Sequence, residues 1–232
     1  MLSSQGNASS HLPHPTDITF PATEEIQYYD DVIHFGGELT ITNLLAAYQS
    51  GIFPWPIAPD VPVPWVSPDP RAILSFSDLH ISKSLARVMR NHPYRVSIDE
   101  AFPQVIQACA ETPRVHEDST WIDRRIIDGY VRLHEAGHAH SVEVWEGEEL
   151  VGGLYGVATK GCFAGESMFH RRSNTSKIAL VHLVRHLEGQ GLGWIDVQQL
   201  TDLFAKFGAI EIPRESYLQL LLATQANELN LF

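Results

Sequence analysis

Residues 140–198 read HSVEVWEGEELVGGLYGVATKGCFAGESMFHRRSNTSKIALVHLVRHLEGQGLGWIDVQ, and this stretch decides the fold. β-type patterning runs over 140–145, 150–158 and 162–169, broken by an acidic turn at 146–149 and a Thr-Lys-Gly turn. Turn residues between short apolar runs mark a three-stranded meander. A helical segment over 175–188 follows, with Ile178, Leu180, Val181, Val184 and Leu187 apolar. WIDVQ at 194–198 is a further strand, 202–207 a helix and 217–223 a helical tail. Strands in a run, then a helix, then a strand, predict an α+β chain built on a mixed sheet with helices packed against it.

Upstream, the pattern predicts a strand over 73–76, a helix over 80–91, a strand over 94–98, and helices over 101–110 and 122–135. A first helix runs over 42–50, ended by Gly51. Between it and the rest lies GIFPWPIAPDVPVPWVSPDPR, residues 51–71, with seven prolines and two tryptophans. Proline lacks the amide hydrogen that helices and central strands need, so neither is expected there. An ordered crossing that holds Trp55 and Trp65 as fixed flat surfaces is the expectation. It divides the chain into a small N-terminal domain, 1–68, and a larger domain, 69–232. Residues 1–15, rich in Ser, Asn, His and Pro, read as a floppy lead-in.

The chain has 232 residues, 44% hydrophobic and 19% charged, which excludes disorder throughout. There is neither an apolar run long enough to span a bilayer nor a secretory leader pattern. With only Cys109 and Cys162, reduced thiols in a cytoplasm are the simpler reading than a bridge. The net charge of −12 by itself opposes a nucleic-acid partner. Its distribution does not. Residues 1–70 hold eight acids and no Lys or Arg, whereas Arg71, Lys83, Arg87, Arg90 and Arg95 face a single acid, Asp78, over 71–95. Arg171, Arg172, Lys177 and Arg185 form a second run with no acid between Glu166 and Glu188. A charge run is ordinarily a solvated face; two such runs in an acidic chain suit a polyanion site.

Two carboxylates stand in apolar strands: Glu166 in CFAGESMF and Asp196 in WIDVQ. Strand alternation puts Cys162, Ala164, Glu166 and Met168 on one face, and Asp196 with Gln198 on another. A buried carboxylate is costly unless paired, so these two suggest a polar site; solvent-facing acids on edge strands are the plain alternative. As a pair they suit a general base or a subsite for a cationic substrate, and spacing does not choose. His134, His138 and His140 invite a metal reading, but Gly137 interrupts their helix and no carboxylate stands at ligand spacing. No G-x-S-x-G elbow or dinucleotide loop is present.

Longer motifs carry a resemblance. GIFPW at 51–55, SPDPRAIL at 67–74, TWI at 120–122, LHEAGHAHSVEVW at 133–145, LVGGLYGVA at 150–158, GESMFHRRSNTSKIAL at 165–180, IDVQ at 195–198 and GAIEIPR at 208–214 resemble the leucyl/phenylalanyl-tRNA–protein transferase family, from about residue 35 to 217. The resemblance implies transfer of Leu, Phe or Met from aminoacyl-tRNA to the α-amine of proteins with N-terminal Arg or Lys, marking them for degradation in the cytoplasm. It implies a C-terminal domain like the GCN5-related acyltransferases, with no cofactor, no metal and no membrane partner, in a protein read as a monomer. The acyl-CoA enzymes of that fold carry a glycine-rich loop ahead of the central helix. HRRSNTSKIAL has no glycine, which counts against an acetyl-CoA-dependent N-acetyltransferase. A non-catalytic binder of basic N-termini is the alternative from another class.

Carried over by motif, Trp55 and Trp121 would contact the terminal adenosine of the tRNA. Leu154, Phe163, Met168, Leu180, Leu187 and Ile195 would form the amino-acid pocket. Asp196, Gln198 and Glu166 would be catalytic, with Gln198 orienting the amine, Asp196 polarising it or taking its proton through water, and Glu166 attracting the cationic acceptor residue. Lys83, Arg87, Arg90, Arg171, Arg172 and Lys177 would meet tRNA phosphates. Alternation sets a difficulty for this pocket, since Met168 shares a predicted face with Glu166; a β-bulge or a sheet opening would resolve it. Val66 stands where the family usually has a second tryptophan before SPDPR.

Overall fold

The computed structural model describes residues 16–58, 60–92, 94–112 and 121–232. The expected lead-in over 1–15 and Thr120 of the TWI motif lie outside the described residues. The quoted stretch folds as read. Strands β6 (Ala139–Glu146), β7 (Glu149–Thr159) and β8 (Cys162–His170) form an antiparallel meander, helix α5 (Thr175–Gly189) follows, and β9 (Trp194–Gln198) returns parallel to β8. With β4 (Arg71–Ser75), β5 (Arg95–Ile98) and β10 (Ile210–Ile212) they make one seven-stranded mixed sheet, in the order β10-β4-β9-β8-β7-β6-β5. This is the α+β class, and the order of meander, helix and parallel strand is the one the resemblance implied.

The sheet is covered on both faces, which is why β7 is buried along nearly its whole length. Helices α3 (Phe102–Glu111) and α4 (Arg124–Glu135) lie on one side and α5 on the other. Adjacent glycines in β7 show the two layers. A Cβ on Gly152 would land 2.2 Å from the Thr175 hydroxyl at the start of α5, and one on Gly153 would reach contact, at 3.4 Å, with Val105 of α3. Glycine is thus what lets α5 lie close on the sheet at this point. The helix α2 (Lys83–Asn91) packs beside α5, and α6 (Asp202–Phe207) and α7 (Arg214–Gln225) follow β9. Ser82, Asp123 and Thr201 side chains cap α2, α4 and α6, satisfying amides that the first helical turn leaves open.

The N-terminal part has its own small sheet and helix α1 (Ile41–Gln49). Here the sequence expectation needs correction. Val32–Phe35 (β1), Phe53–Pro54 (β2) and Pro64–Val66 (β3) pair in the order β1-β3-β2, so a proline-rich segment does supply a central strand. Only three residues long, β3 uses Pro64 through its carbonyl, which accepts from Trp55 N–H at 2.8 Å; no donor is asked of it. Trp65 is wholly buried, with Nε1 donating to the Gly36 carbonyl at 2.8 Å, and is core rather than a presented surface. Both cysteines are buried and unbridged. Among the described residues no helix is long and apolar enough to cross a membrane.

Candidate active site

The site begins with a defect in the sheet. Between β7 and β8 the pairing runs Tyr155↔Ser167 and then Gly156↔Gly165, so Glu166 is an extra, unpaired residue, a β-bulge. The bulge resets the alternation. Leu154 opposes Met168 and Ala158 opposes Phe163, which puts Leu154, Met168 and Phe163 on one face. Met168 therefore does not share the face with Ala164 that unbroken alternation predicts. On the other side of β8, the parallel pairing to β9 holds at one position, Ala164↔Asp196. Beyond it the two strands part.

An apolar cavity of about 70 Å³ occupies this opening. Leu154 and Met168 from the meander, Leu180 and Leu183 from α5, and Ile195 and Val197 from β9 line it, and Phe204 closes one side. Glu166 sits in its wall beside Tyr155 and Ser167. Of the six residues expected for the amino-acid pocket, Leu154, Met168, Leu180 and Ile195 line this cavity. Phe163 and Leu187 do not: both are buried off the cavity, Phe163 tilted against the Phe232 ring. Leu183 lies between Leu180 and Leu187 on the same helical stripe and takes the lining position instead.

The two carboxylates have different neighbours. Gln198 Nε2 donates to Glu166 Oε1 at 2.7 Å, Tyr130 donates to Oε2 at 3.3 Å, and the Tyr48 hydroxyl, hydrogen-bonded to that of Tyr130, adds a third neutral donor. Burial pushes Glu166 up from the ordinary 4.5 to about 7; the charge of Asp196 adds to this and the three donors oppose it. Burial, with Glu166 nearby, also pushes both tyrosines well above their usual range, so they remain protonated donors. Asp196, 3% exposed, does not line the cavity. It accepts from Arg71 Nε at 2.9 Å and Nη2 at 2.7 Å, from the Tyr217 hydroxyl at 3.0 Å and from the Gln198 backbone N–H at 2.9 Å. β9 is also an inner strand, between β4 and β8, so the edge-strand alternative does not apply to Asp196.

Trp55 and Trp121 come together from distant sequence, stacked with centroids 5.5 Å apart and 15° between planes; Trp121 is buried and Trp55 half-buried. Asp123 and Arg125 hold this corner. Arg125 is paired to Asp123 at 2.6 Å and donates to the Ala58 and Val61 carbonyls, joining α4 to the proline-rich loop. The basic residues divide. Lys83, Arg87 and Arg90 are exposed on α2, without an ion pair among the described residues. Arg171 is turned to the Leu150 carbonyl and the Phe169 ring, and Arg172 pairs with Glu146 and Glu149. Lys177 lines a groove between α2, α5 and α6 with His80 and Lys206. Two of the three histidines are occupied structurally: His134 stacks on Phe102, and His140 bonds to Asp99 and stacks on Phe232.

Sequence reasoning counted Arg71 in a basic run suited to a polyanion, whereas it is buried and paired with Asp196, and it singled out neither Tyr48 nor Tyr130. The signal for Arg71 was present, because an acid in an apolar strand demands a cation, and RAIL puts an arginine at the head of one. The tyrosines gave none, since each stands within an ordinary helical stretch, α1 or α4.

The motifs quoted from the sequence extend into similarity over most of the chain. The profile described as leucyl/phenylalanyl-tRNA protein transferase matches residues 73–222, and the profile of that enzyme's N-terminal domain matches residues 37–69. The leucyl/phenylalanyl-tRNA–protein transferases of Shigella dysenteriae serotype 1 and Escherichia coli strain K12 / DH10B are each 49% identical over 205 residues, covering 88% of this chain and 86% of theirs. Among solved structures, L-PGS from Bacillus licheniformis aligns at 14% identity with a TM-score of 0.39, over 58% of this chain and 46% of that one. The protein is thus an aminoacyltransferase. It belongs to the leucyl/phenylalanyl-tRNA–protein transferase family, whose enzymes pass an aminoacyl group from tRNA to a protein.

Proposed function

We propose that this protein transfers Leu, Phe or, less well, Met from aminoacyl-tRNA to the α-amine of proteins beginning with Arg or Lys. As a monomer in the cytoplasm it would thereby mark them for degradation. The observation that carries the reading is an apolar cavity at a sheet opening with Glu166 in its wall and Gln198 bonded to it. The cavity accepts a Leu- or Phe-sized side chain, whose burial is worth about 1.5–3 kcal/mol. We assign residues 1–68 to a small domain that presents Trp55, and 69–232 to the catalytic domain.

The chemistry follows from the bond. An aminoacyl ester is already activated, and an α-amine of pKa about 8 is roughly a tenth neutral at pH 7, so positioning matters more than a strong base. The amine lone pair attacks the ester carbon, the carbon–oxygen bond to the ribose breaks, and the amine's proton ends on the departing ribose hydroxyl. The Gln198 amide nitrogen is committed to Glu166, which leaves its carbonyl oxygen to accept from the incoming amine. Glu166, poised near 7, attracts the cationic first residue and stands where a proton can be held as the amine is acylated. Asp196, already met by four donors, is assigned to fixing Gln198 rather than to taking the proton. Trp55 and Trp121 offer stacking surfaces to the terminal adenosine, and the cations of α2 offer phosphate contacts. The missing glycine loop and the two indoles favour a nucleic-acid donor over acetyl-CoA.

One mixture tests this reading: the protein, acetyl-CoA, tRNA charged with labelled leucine, and a peptide beginning with Arg. Label on the peptide amine is the expected result. Consumption of acetyl-CoA, or peptide binding without product, would assign the cleft to an acetyltransferase or a non-catalytic binder.

A further inference from the structure

Arg71 touches neither the cavity nor the exposed basic faces, yet it is among the largest fully buried side chains, 1% exposed. Every part of its guanidinium is engaged. Nε and Nη2 grip both oxygens of Asp196, Nη1 donates to the Gly51 carbonyl at 3.2 Å, and the plane lies between the rings of Phe53 and Tyr217, at 4.7 and 4.5 Å from their centroids. Replacing a buried ion pair with apolar residues of similar volume is commonly neutral or stabilising, so stability alone does not account for it. Geometry does. Asp196 Oδ1, held by Arg71 Nε, is also the acceptor for the Gln198 backbone N–H, and Gln198 is in the left-handed region at φ +62°. A residue without glycine's freedom keeps that conformation only where its surroundings enforce it. From that bend the Gln198 side chain reaches back to Glu166.

We infer that Arg71 is a positioning residue for aminoacyl transfer: clamped on Asp196, it sets the backbone bend at Gln198 and thereby the amide that faces Glu166 in the cavity wall. The connection runs over three contacts, Arg71 to Asp196, Asp196 to Gln198, and Gln198 to Glu166. It rests on the transferase reading of the cleft, and the wild-type assay above tests that reading separately. If wild-type protein labels no peptide, the reading has failed and the Arg71 experiment is not the cause.

Arg71→Lys is the test. Lysine keeps the charge but offers a point donor that does not hold two carboxylate oxygens, a ring-sandwiched plane and a backbone carbonyl together. With folding checked by circular dichroism, kcat is expected to fall about tenfold or more while KM for Leu-tRNA changes little, because the reacting groups lose alignment and the tRNA contacts do not. The pH profile supplies a readout that loss of folded protein does not move. The charged and titratable groups around Glu166 are Tyr48, Tyr130, Asp196 and Arg71. Loss of the Gln198 donor destabilises ionised Glu166, so the acid limb of kcat/KM moves to higher pH by about half a unit or more. An unmoved acid limb, with kcat loss matching the loss of folded protein, overturns the inference. Should Arg71→Lys not fold, Tyr217→Phe removes another donor to the same carboxylate; a smaller shift of the same sign supports the inference, and an unchanged profile overturns it.

Discussion

β9 has two unlike sides. Toward β4 it is paired at four positions, from Ala72↔Gln198 to Ser75↔Trp194, with one register shift between Ala72 and Ile73. Toward β8 it is held at one position and then opens. Each side has its own carboxylate. On the closed side Asp196 meets a guanidinium and loses any freedom to exchange partners. On the open side Glu166 meets only neutral donors. The same functional group is held in a buried ion pair in one place, while in the other it has only neutral donors and burial pushes its pKa up; what separates them is whether a full positive charge lies within bonding distance.

The largest effect that would break this contrast lies on the closed side. Asp196→Ala leaves Arg71 buried without its counter-charge, and folding stability is expected to drop by about 3–5 kcal/mol, read as a shift in the urea midpoint. A stable Asp196→Ala protein would mean that the seam is not the anchor described. On the open side, Glu166→Gln is expected to fold normally and to lower transfer to an Arg-initiated peptide by about a hundredfold. For the wild type, activity falls as pH drops through about 7 more steeply than amine protonation alone requires, since protonation removes the Glu166 anion, and only the fall due to the amine is left in Glu166→Gln. The stability sign is opposite to that of a paired acid. Because the folded pKa lies above the unfolded value, folded protein holds the extra proton between 4.5 and about 7, and stability declines as pH rises across that window. Urea midpoints that rise across it would contradict the environment assigned to Glu166.

Smaller effects sharpen the picture. Leu180→Phe narrows the cavity and is expected to reduce transfer of Phe about tenfold more than transfer of Leu, measured as the ratio of kcat/KM values. Trp55→Ala removes about 1–3 kcal/mol of stacking and is expected to raise KM for aminoacyl-tRNA with kcat largely kept. Least of all, Arg172→Ala should change stability by less than about 1 kcal/mol, since both of its ion pairs are solvent-exposed. Its effect on tRNA affinity should also be smaller than that of Arg87→Ala, because Arg172 is already committed to Glu146 and Glu149 while Arg87 is not.

The meander, α5 and β9 were legible because turn residues bound short apolar runs in the strands and the helix carries an apolar stripe of period about three and a half. Val32–Phe35 and Ile210–Ile212 were missed because three or four residues carry no periodicity, and β3 because two prolines flank Val63 and Trp65 lies between Pro64 and Val66. The bulge at Glu166 was raised only as a way out of a conflict over Met168, since one extra residue in a strand leaves no mark until its partner strand is known. Leu154, Met168, Leu180 and Ile195 came from a resemblance, and the geometry that unites them came from strand pairing. Tyr48 and Tyr130 lie 82 positions apart and meet only in three dimensions.

That meeting of two tyrosines has a consequence for how the molecule can be taken apart. Tyr48 belongs to α1 and Tyr130 to α4, and Glu166 bonds to both, so the acid's surroundings are shared property of the first fifty residues and the large sheet. Gly51 and Phe53 hold Arg71 in the same shared way. A fragment starting at residue 69 would retain the cavity, both carboxylates and the arginine, yet have an acid with a different proton affinity and a guanidinium missing one of its walls. The small N-terminal part is therefore no detachable tag-reader; its severance would retune the chemistry at Glu166, nearly a hundred residues along the chain from the cut.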